Sequence, residues 1–312
     1  MIVCGRKVNV TTFAALAEYT MGRFGFYLLN TMLFIQSAGS CVSYFLLIAD
    51  TMPILTQLYI PQYPLLHSRQ TLTLFISVFL VFPLNLFRSI GALARWSTFS
   101  VLLLPVMILT VLIRAPSSIG QHETPYMRQG QDPLAAIGIM SFAFVCSQVA
   151  FSNYLSQRNQ NLSAWLGTSY LSSGTSWLIS MAFAVVGYVS FGVDANANLF
   201  SNFPNDDGII NVGRLALALS MVLTVPMAFY PARDAVQTVL FGHRTTSAVE
   251  HHVLTVVLFA GLLAIGLQVT ELGKVYATVG GMASACLAYL IPGYSYWYLF
   301  YGPGRSIAAL LL

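Results

Sequence analysis

Residues 223–234, Leu-Thr-Val-Pro-Met-Ala-Phe-Tyr-Pro-Ala-Arg-Asp, close an apolar run that starts near Ile209. In a helix, Pro226 takes away the partner of the Val222 carbonyl, and Pro231 takes away that of Met227. Thr224 adds a hydroxyl one turn from these carbonyls. Freed carbonyls in hydrocarbon need water, a neighbouring side chain or a bound ion. Together with the hydroxyl they are hard, uncharged oxygens of the kind alkali cations take. The bland alternative is a proline kink, with the hydroxyl bonded back to its own helix. Taken alone, residues 223–234 favour the kink.

Two further groups have the same uncharged polarity. The run from Ser141 to Tyr154 sets Phe142 and Phe144 beside Cys146, Ser147 and Gln148. These residues can line a substrate cavity, or they can form a packed seam, since small and polar residues hold membrane helices together. An earlier run carries Gln36, Ser37, Ser40, Ser43 and Tyr44. Such hydroxyls and amides bind a zwitterion or a sodium ion without burying a permanent charge. Gly280-Gly-Met-Ala-Ser-Ala285 reads as a close backbone approach between helices.

Other chemistries are excluded by what the apolar runs lack. They are free of Asp, Glu, Lys and His except at their ends, and His67, His122, His243, His251 and His252 all fall in expected loops. Intramembrane proteolysis, histidine-dependent acyl transfer and metal catalysis need such side chains within the bilayer. An enzyme is not expected, nor a metal or other cofactor, nor a carboxylate proton relay. Cys4, Cys41, Cys146 and Cys286 share no outer loop, so no structural disulfide is expected. The net charge of +4 contains no basic cluster suited to nucleic acid.

The elements that must position these groups follow from composition. The chain is 57% hydrophobic and 8% charged, against about 25% charged in soluble domains. Its apolar residues come in blocks of about 18–26, the length that spans a hydrocarbon core of about 30 Å. A β-barrel would show short alternating segments instead. The expectation is an all-α integral membrane protein with eight spans, about 24–49, 71–88, 96–114, 134–152, 168–191, 209–230, 252–270 and 276–300. A ninth run from Ser306 to Leu312 is too short to cross. Connections are short, so residues 1–312 read as a single membrane domain. The first 23 residues lack the apolar core of a signal peptide.

Basic residues are retained on the cytoplasmic side. With the amino terminus inside, that side holds Arg6, Lys7, Arg23, Arg88, Arg95, Arg158, Arg233, Arg244 and Arg305. The other holds Arg69, Arg114, Arg128, Arg214 and Lys274. The amino terminus is therefore expected to be cytoplasmic.

Four stretches together carry a family resemblance. Residues 85–100, Asn-Leu-Phe-Arg-Ser-Ile-Gly-Ala-Leu-Ala-Arg-Trp-Ser-Thr-Phe-Ser, resemble an inner turn of the amino acid/auxin permease superfamily. Phe142–Cys146 resembles its sixth helix, Arg214–Arg233 its eighth and Gly280–Pro292 its tenth. The chain is most similar to the branch of sodium-coupled neutral amino acid transporters and fungal vacuolar amino acid transporters. The resemblance implies a partial LeuT-like (amino acid permease) inverted-repeat fold, with discontinuous first and sixth helices meeting at the substrate. The eight spans would be family helices three to ten, with Ser306 opening the eleventh and helices one and two missing.

On that resemblance, Phe142, Phe144, Cys146, Ser147 and Gln148 lie in an unwound helix that offers its backbone to an amino acid, with Ser40 and Tyr44 also facing substrate. Thr224 and the Val222 carbonyl would hold the coupling ion. Ser147-Gln148 stands where family members often carry histidine or proline after the cysteine. The implied function is secondary active transport of amino acids by alternating access, coupled to Na+ or H+, in a vacuolar, other endomembrane or plasma membrane. The alternatives are a membrane amino acid sensor that does not transport, or an inactive truncated isoform.

The orientation is testable on two sequons, Asn9-Val-Thr and Asn161-Leu-Ser, which both fall on the expected cytoplasmic side. Neither asparagine should carry sugar after expression in a secretory-competent cell. A mobility shift on glycosidase treatment would place the amino terminus on the opposite side.

Overall fold

The computed structural model describes residues 1–87, 90–125, 130, 132–242, 244 and 246–302, with the side chains of 90–97 left out. Arg88, Arg128, His243, Arg305, the Arg95 side chain and the run from Ser306 lie outside the described residues. No strand occurs among the described residues. A short helix, α1 (Ile2–Val8), precedes α2 (Phe13–Tyr59), α3 (Arg69–Asn85) and α4 (Ile90–Arg114). The interrupted pair α5 (Pro133–Phe144) and α6 (Ala150–Ser156) follows, then α7 (Leu162–Phe191). The chain continues through α8 (Gly208–Phe241), α9 (Ala248–Gln268) and α10 (Leu272–Phe300). Seven described helical stretches are long and apolar enough to cross a membrane, which makes this a multi-pass membrane protein.

Helix α2 outruns the apolar block expected at 24–49. Thr12 caps its start by accepting from the Ala15 amide at 3.2 Å, and Gly22 breaks it with φ 63°, a left-handed conformation that suits glycine. Beyond that break, residues 23–59 at about 1.5 Å each give about 55 Å, well over the hydrocarbon thickness. It can continue past the apolar block because its polar residues there are satisfied. Asp50 pairs with Arg69 at 3.2 Å, and Thr56 donates to the Leu66 carbonyl at 2.7 Å. The run expected at 71–88 forms α3, which is shorter than a full crossing and contains a widened turn over Ser77–Val81. His251, expected in a loop, is buried in the first turn of α9.

The loops sort onto two ends, as successive crossings require. At one end Arg114 pairs with Asp207 at 2.6 Å, His122 Nδ1 lies 2.9 Å from Asp194, and the Val193 amide donates to the Glu123 carbonyl at 3.1 Å. At the other, Lys7 donates to the Leu299 carbonyl at 2.5 Å and Arg233 donates to Asn85 and Phe87. Assigning one end to the cytoplasm rests on the basic residues.

The core lies along α2 and α8. Phe45, Phe82 and Phe229 surround Phe259 with ring centroids 5.8, 5.2 and 6.1 Å away. Each end of α8 carries a buried arginine. Arg214 is fully buried and donates to the carbonyls of Phe200 (2.9 Å), Phe203 (2.9 Å), Pro204 (3.2 Å) and Asn205 (3.3 Å), and to Asn211 Oδ1 (2.7 Å). Arg233 donates to the carbonyls of Asn85 (2.8 Å) and Phe87 (3.0 Å) and to Thr255 Oγ1 (3.1 Å). Each guanidinium thus satisfies carbonyls outside regular helix.

Asp207 caps α8, accepting from Ile209 and Ile210 at 3.0 and 3.1 Å. Burial works against its ionisation, but the Ile210 amide, Arg114 and the Ile209 amide outweigh it and hold the carboxyl below its ordinary range. Its stabilisation is complete above the unfolded carboxylate pKa of about 3.9 and is lost as pH falls through the lower folded value. Asp207→Ala should lower the unfolding free energy at neutral pH by about 1 kcal/mol, the usual worth of such a cap. It should also flatten the acid limb of the melting-temperature profile in detergent. An acid limb as steep as the parent's would assign that sensitivity to other carboxylates.

Candidate functional site

Helix α5 starts at a strong signal and stops at a weak one. Asp132 accepts from the Ala135 amide at 2.9 Å, and Pro133 occupies the first helical position, where its missing N–H costs nothing. The helix stops at Phe144. Val145 is extended (φ −68°, ψ 117°), Cys146 takes φ −133°, ψ 1°, and Ser147–Val149 form a single tight turn before α6. No glycine or proline forces this break; Val145, Cys146 and Ser147 are merely modest helix formers. The last carbonyls of α5 therefore lack the donors of a following turn. Ser147 Oγ and Gln148 Oε1 are buried without hydrogen-bond partners. Cys146 is exposed, whereas Cys4, Cys41 and Cys286 are buried.

The break lies on a tight three-helix seam. A Cβ on Gly138 would sit 2.4 Å from the Ala277 carbonyl oxygen, and one on Gly280 would sit 1.8 Å from that of Gly138. Glycine is required where α5 and α10 approach this closely. One turn on, the Phe142 and Tyr276 rings lie 4.8 Å apart. Helix α2 joins from the side, with Gly39 against Val279, while Ser284 Oγ lies 2.5 Å from Gln36 Oε1. Packing is thus what Gly280–Ala285 does. Ser40 donates to its own helix at Gln36, 3.0 Å away, and Tyr44 packs with Tyr276 against the core. Phe142 is half-buried, whereas Phe144 is exposed.

Thr224 and Val222 sit elsewhere. Helix α8 runs through Pro226 and Pro231 without a break. The Thr224 hydroxyl donates back to the Ser220 carbonyl at 2.7 Å, the bond expected of the kink. It also lies 3.3 Å from Ser100 Oγ on α4, and Ser220 Oγ donates to the Ser100 carbonyl at 3.3 Å. Ser100, the last residue of the stretch at 85–100, is not among the expected site residues; its signal in the sequence is the cluster Ser97, Thr98 and Ser100 at the head of an apolar run. Helix α2 reaches both groups, since Cys41 Sγ lies 4.0 Å from the Val225 carbonyl while Gly39 meets Val279. Among the described residues, Thr224 makes no hydrogen bond or ring contact with Phe142–Gln148.

A cavity of about 660 Å³ opens at the Asp207 end and follows the α5–α10 seam. Asp50, Asp132, Asn196, Glu271 and Lys274 form its rim, and Ile139 and Ala277 lie on its wall. Gly138 and Tyr276, neighbours of two of these residues, lead to Phe142.

The described residues thus form an all-helical, multi-pass membrane protein in which one crossing is interrupted at Val145–Cys146. The chain belongs to the family described as "Transmembrane amino acid transporter protein", whose model matches residues 1–310. It is 27% identical over 301 residues to "Putative sodium-coupled neutral amino acid transporter 11" of Danio rerio, covering 94% of this chain and 66% of that protein. It is 25% identical over 308 residues to "Vacuolar amino acid transporter 2" of Saccharomyces cerevisiae, covering 91% and 63%. With "Vacuolar amino acid transporter 5" of Schizosaccharomyces pombe the identity is 26% over 304 residues, covering 95% and 72%. The chain thus spans about two thirds of the length of the first two relatives.

The α5–α10 seam makes a sharp prediction. Gly138→Ala should lower the unfolding free energy by about 1–3 kcal/mol through overpacking. Gly167→Ala, whose Cβ would meet nothing within 4 Å, should instead raise it by up to about 1 kcal/mol. Equal melting temperatures for the two purified variants would mean that the seam parts without cost.

Proposed function

We propose that this protein carries amino acids across a membrane by alternating access, driven by Na+ or H+. The observation that carries this reading is the interruption at Val145–Cys146, with Ser147 Oγ and Gln148 Oε1 buried and unpartnered. Orphaned oxygens in a membrane are costly unless something pairs with them. The ammonium of an amino acid supplies donors to such oxygens and to the freed carbonyls at the end of α5. Phe142, Phe144, Tyr44 and Ser40 would line the rest of the site, with Cys146 at its open edge.

The LeuT-like assignment of the helices supports a specific motion. Helices α5 to α7 would rock against a frame of α2 to α4 and α8 to α10, the glycine contact at Gly138 and Gly280 serving as the sliding surface. The coupling ion would take Thr224 Oγ1, Ser100 Oγ and the Val222 carbonyl, whose helical donor is removed by Pro226. The similarity to proteins named as vacuolar supports an endomembrane location.

Counterflow of labelled neutral amino acid into proteoliposomes, under imposed Na+ and H+ gradients, tests the reading. Labelled exchange is expected. Binding without exchange would make the protein a sensor. Thr224→Ala, made in the full-length protein, should raise the ion concentration for half-maximal uptake about tenfold, the loss of one oxygen ligand. Unchanged uptake at every Na+ and H+ concentration would leave Thr224 with only its helix-internal role.

A further inference from the structure

Gln36 belongs to the polar run of α2 but has no part in the transport site as described so far. Only 3% of it is exposed. Its Oε1 accepts from Ser284 Oγ on α10 at 2.5 Å, and Ser284 is wholly buried. That bond uses the oxygen of the amide and leaves its nitrogen. Nε2 carries two donors and keeps some accessible surface, yet it meets no acceptor among the described residues. A donor left unmet at such a depth costs about 1–3 kcal/mol, so the position calls for an acceptor.

The packing on either side of Gln36 fixes its level along the seam. One turn before it, Leu33 packs with Val145 against the cluster that holds Cys286 and Leu287. Three residues after it, Gly39 meets Val279, beside the contact of Gly280 with Gly138 and Phe142. On α10 Ser284 falls between the same two levels, four residues after Gly280 and three before Leu287. Helix α10 is wound there into two widened turns, Gly280–Ser284 and Cys286–Leu290, a form that occurs mostly as single turns at functional sites. The second of them packs beside Ser147–Val149. Gln36 therefore stands level with the end of α5 and the break at Val145–Cys146.

The chemistry of an amino acid says what the acceptor is. Its ammonium only donates and its carboxylate only accepts. The oxygens at the break serve the ammonium, and the carboxylate still needs a donor. Resting on the transport reading above, we propose that Gln36 binds the substrate carboxylate through Nε2, with Ser284 holding the amide in the orientation that presents it. A backbone carbonyl from another segment is the competing acceptor, and the experiment separates the two.

The full chain is purified in detergent, and L-alanine and L-leucine are each compared with their carboxamides, which keep the ammonium but lack the carboxylate. Binding is read as the concentration that gives half of the maximal rise in melting temperature. In the parent the acids should bind about tenfold or more tightly than the amides, the worth of a hydrogen bond to a charged group. Gln36→Glu keeps an acceptor for Ser284 but sets a negative charge against the carboxylate, so the preference for the acids should vanish. Gln36→Met is similar in size and has no donor; it should cut the preference to within about threefold and serves if the buried charge prevents folding. Variants are compared only as monodisperse species eluting with the parent. A merely structural role would weaken acid and amide alike and leave their ratio unchanged. An unchanged ratio in the folded variants, or a parent that does not prefer the acids, would overturn the proposal. Counterflow on the same protein keeps the two readings apart. Exchange with an unchanged ratio strikes the role of Gln36 alone, whereas a shifted ratio without exchange strikes transport and supports the carboxylate contact.

Discussion

Backbone carbonyls inside a hydrocarbon layer must find a donor, and this requirement organises the molecule from its ends to its centre. Regular helix satisfies the long runs without help. Where the chain leaves the helix at the two ends of α8, a dedicated donor stands by. Arg214 gathers the carbonyls of Phe200, Phe203, Pro204 and Asn205 at one end of α8, and Arg233 gathers those of Asn85 and Phe87 at the other. The two arginines lie about 28 Å apart along the helix at 1.5 Å per residue, close to one hydrocarbon thickness. A guanidinium suits the task because its donors fork widely and its charge is hydrated more weakly than an ammonium.

The exception gives the site its character. Between α5 and α6 the chain also leaves the helix, and there the side-chain oxygens Ser147 Oγ and Gln148 Oε1 are unpaired, as Ser77 Oγ, Asn85 Oδ1, Gln157 Oε1 and Ser190 Oγ are elsewhere. No arginine reaches them among the described residues, and the polar cavity on the α5–α10 seam ends at Ile139 and Thr278, on the Asp132 side of the break. The seam is tightest at its glycines. Gly138 and Gly280 bring two backbones into contact, while Phe142 and Tyr276 meet as tilted rings one turn on.

Much of this was legible from residue order. Blocks of apolar residues marked the crossings, and Gly280–Ala285 was readable as a packing surface because small residues have few other uses in lipid. Helix length was less legible, because apolar runs measure hydrocarbon and helices do not stop at its edge. Asp50 and Thr56 extend α2 by finding partners in Arg69 and Leu66, which no local pattern announces. The resemblance implied an unwound stretch over Phe142–Gln148, whereas the helix runs on through Phe144 and breaks only at Val145, where propensity is indifferent. Arg214 counts in the sequence only as one basic residue of the non-cytoplasmic side; its enclosure by carbonyls depends on a loop that folds back from about ten residues away. Ser100 became visible only once α4 and α8 were side by side.

Cys146 offers the most direct measurement of the central claim, that the interrupted helix forms part of a solute passage. It is the one exposed thiol among the four cysteines. Its rate of reaction with a small, water-soluble thiol reagent can be followed by intact mass in proteoliposomes. The account predicts that Cys146 reacts readily and that a saturating neutral amino acid slows the reaction. A rate that no amino acid changes, or a thiol that water-soluble reagents never reach, would contradict it.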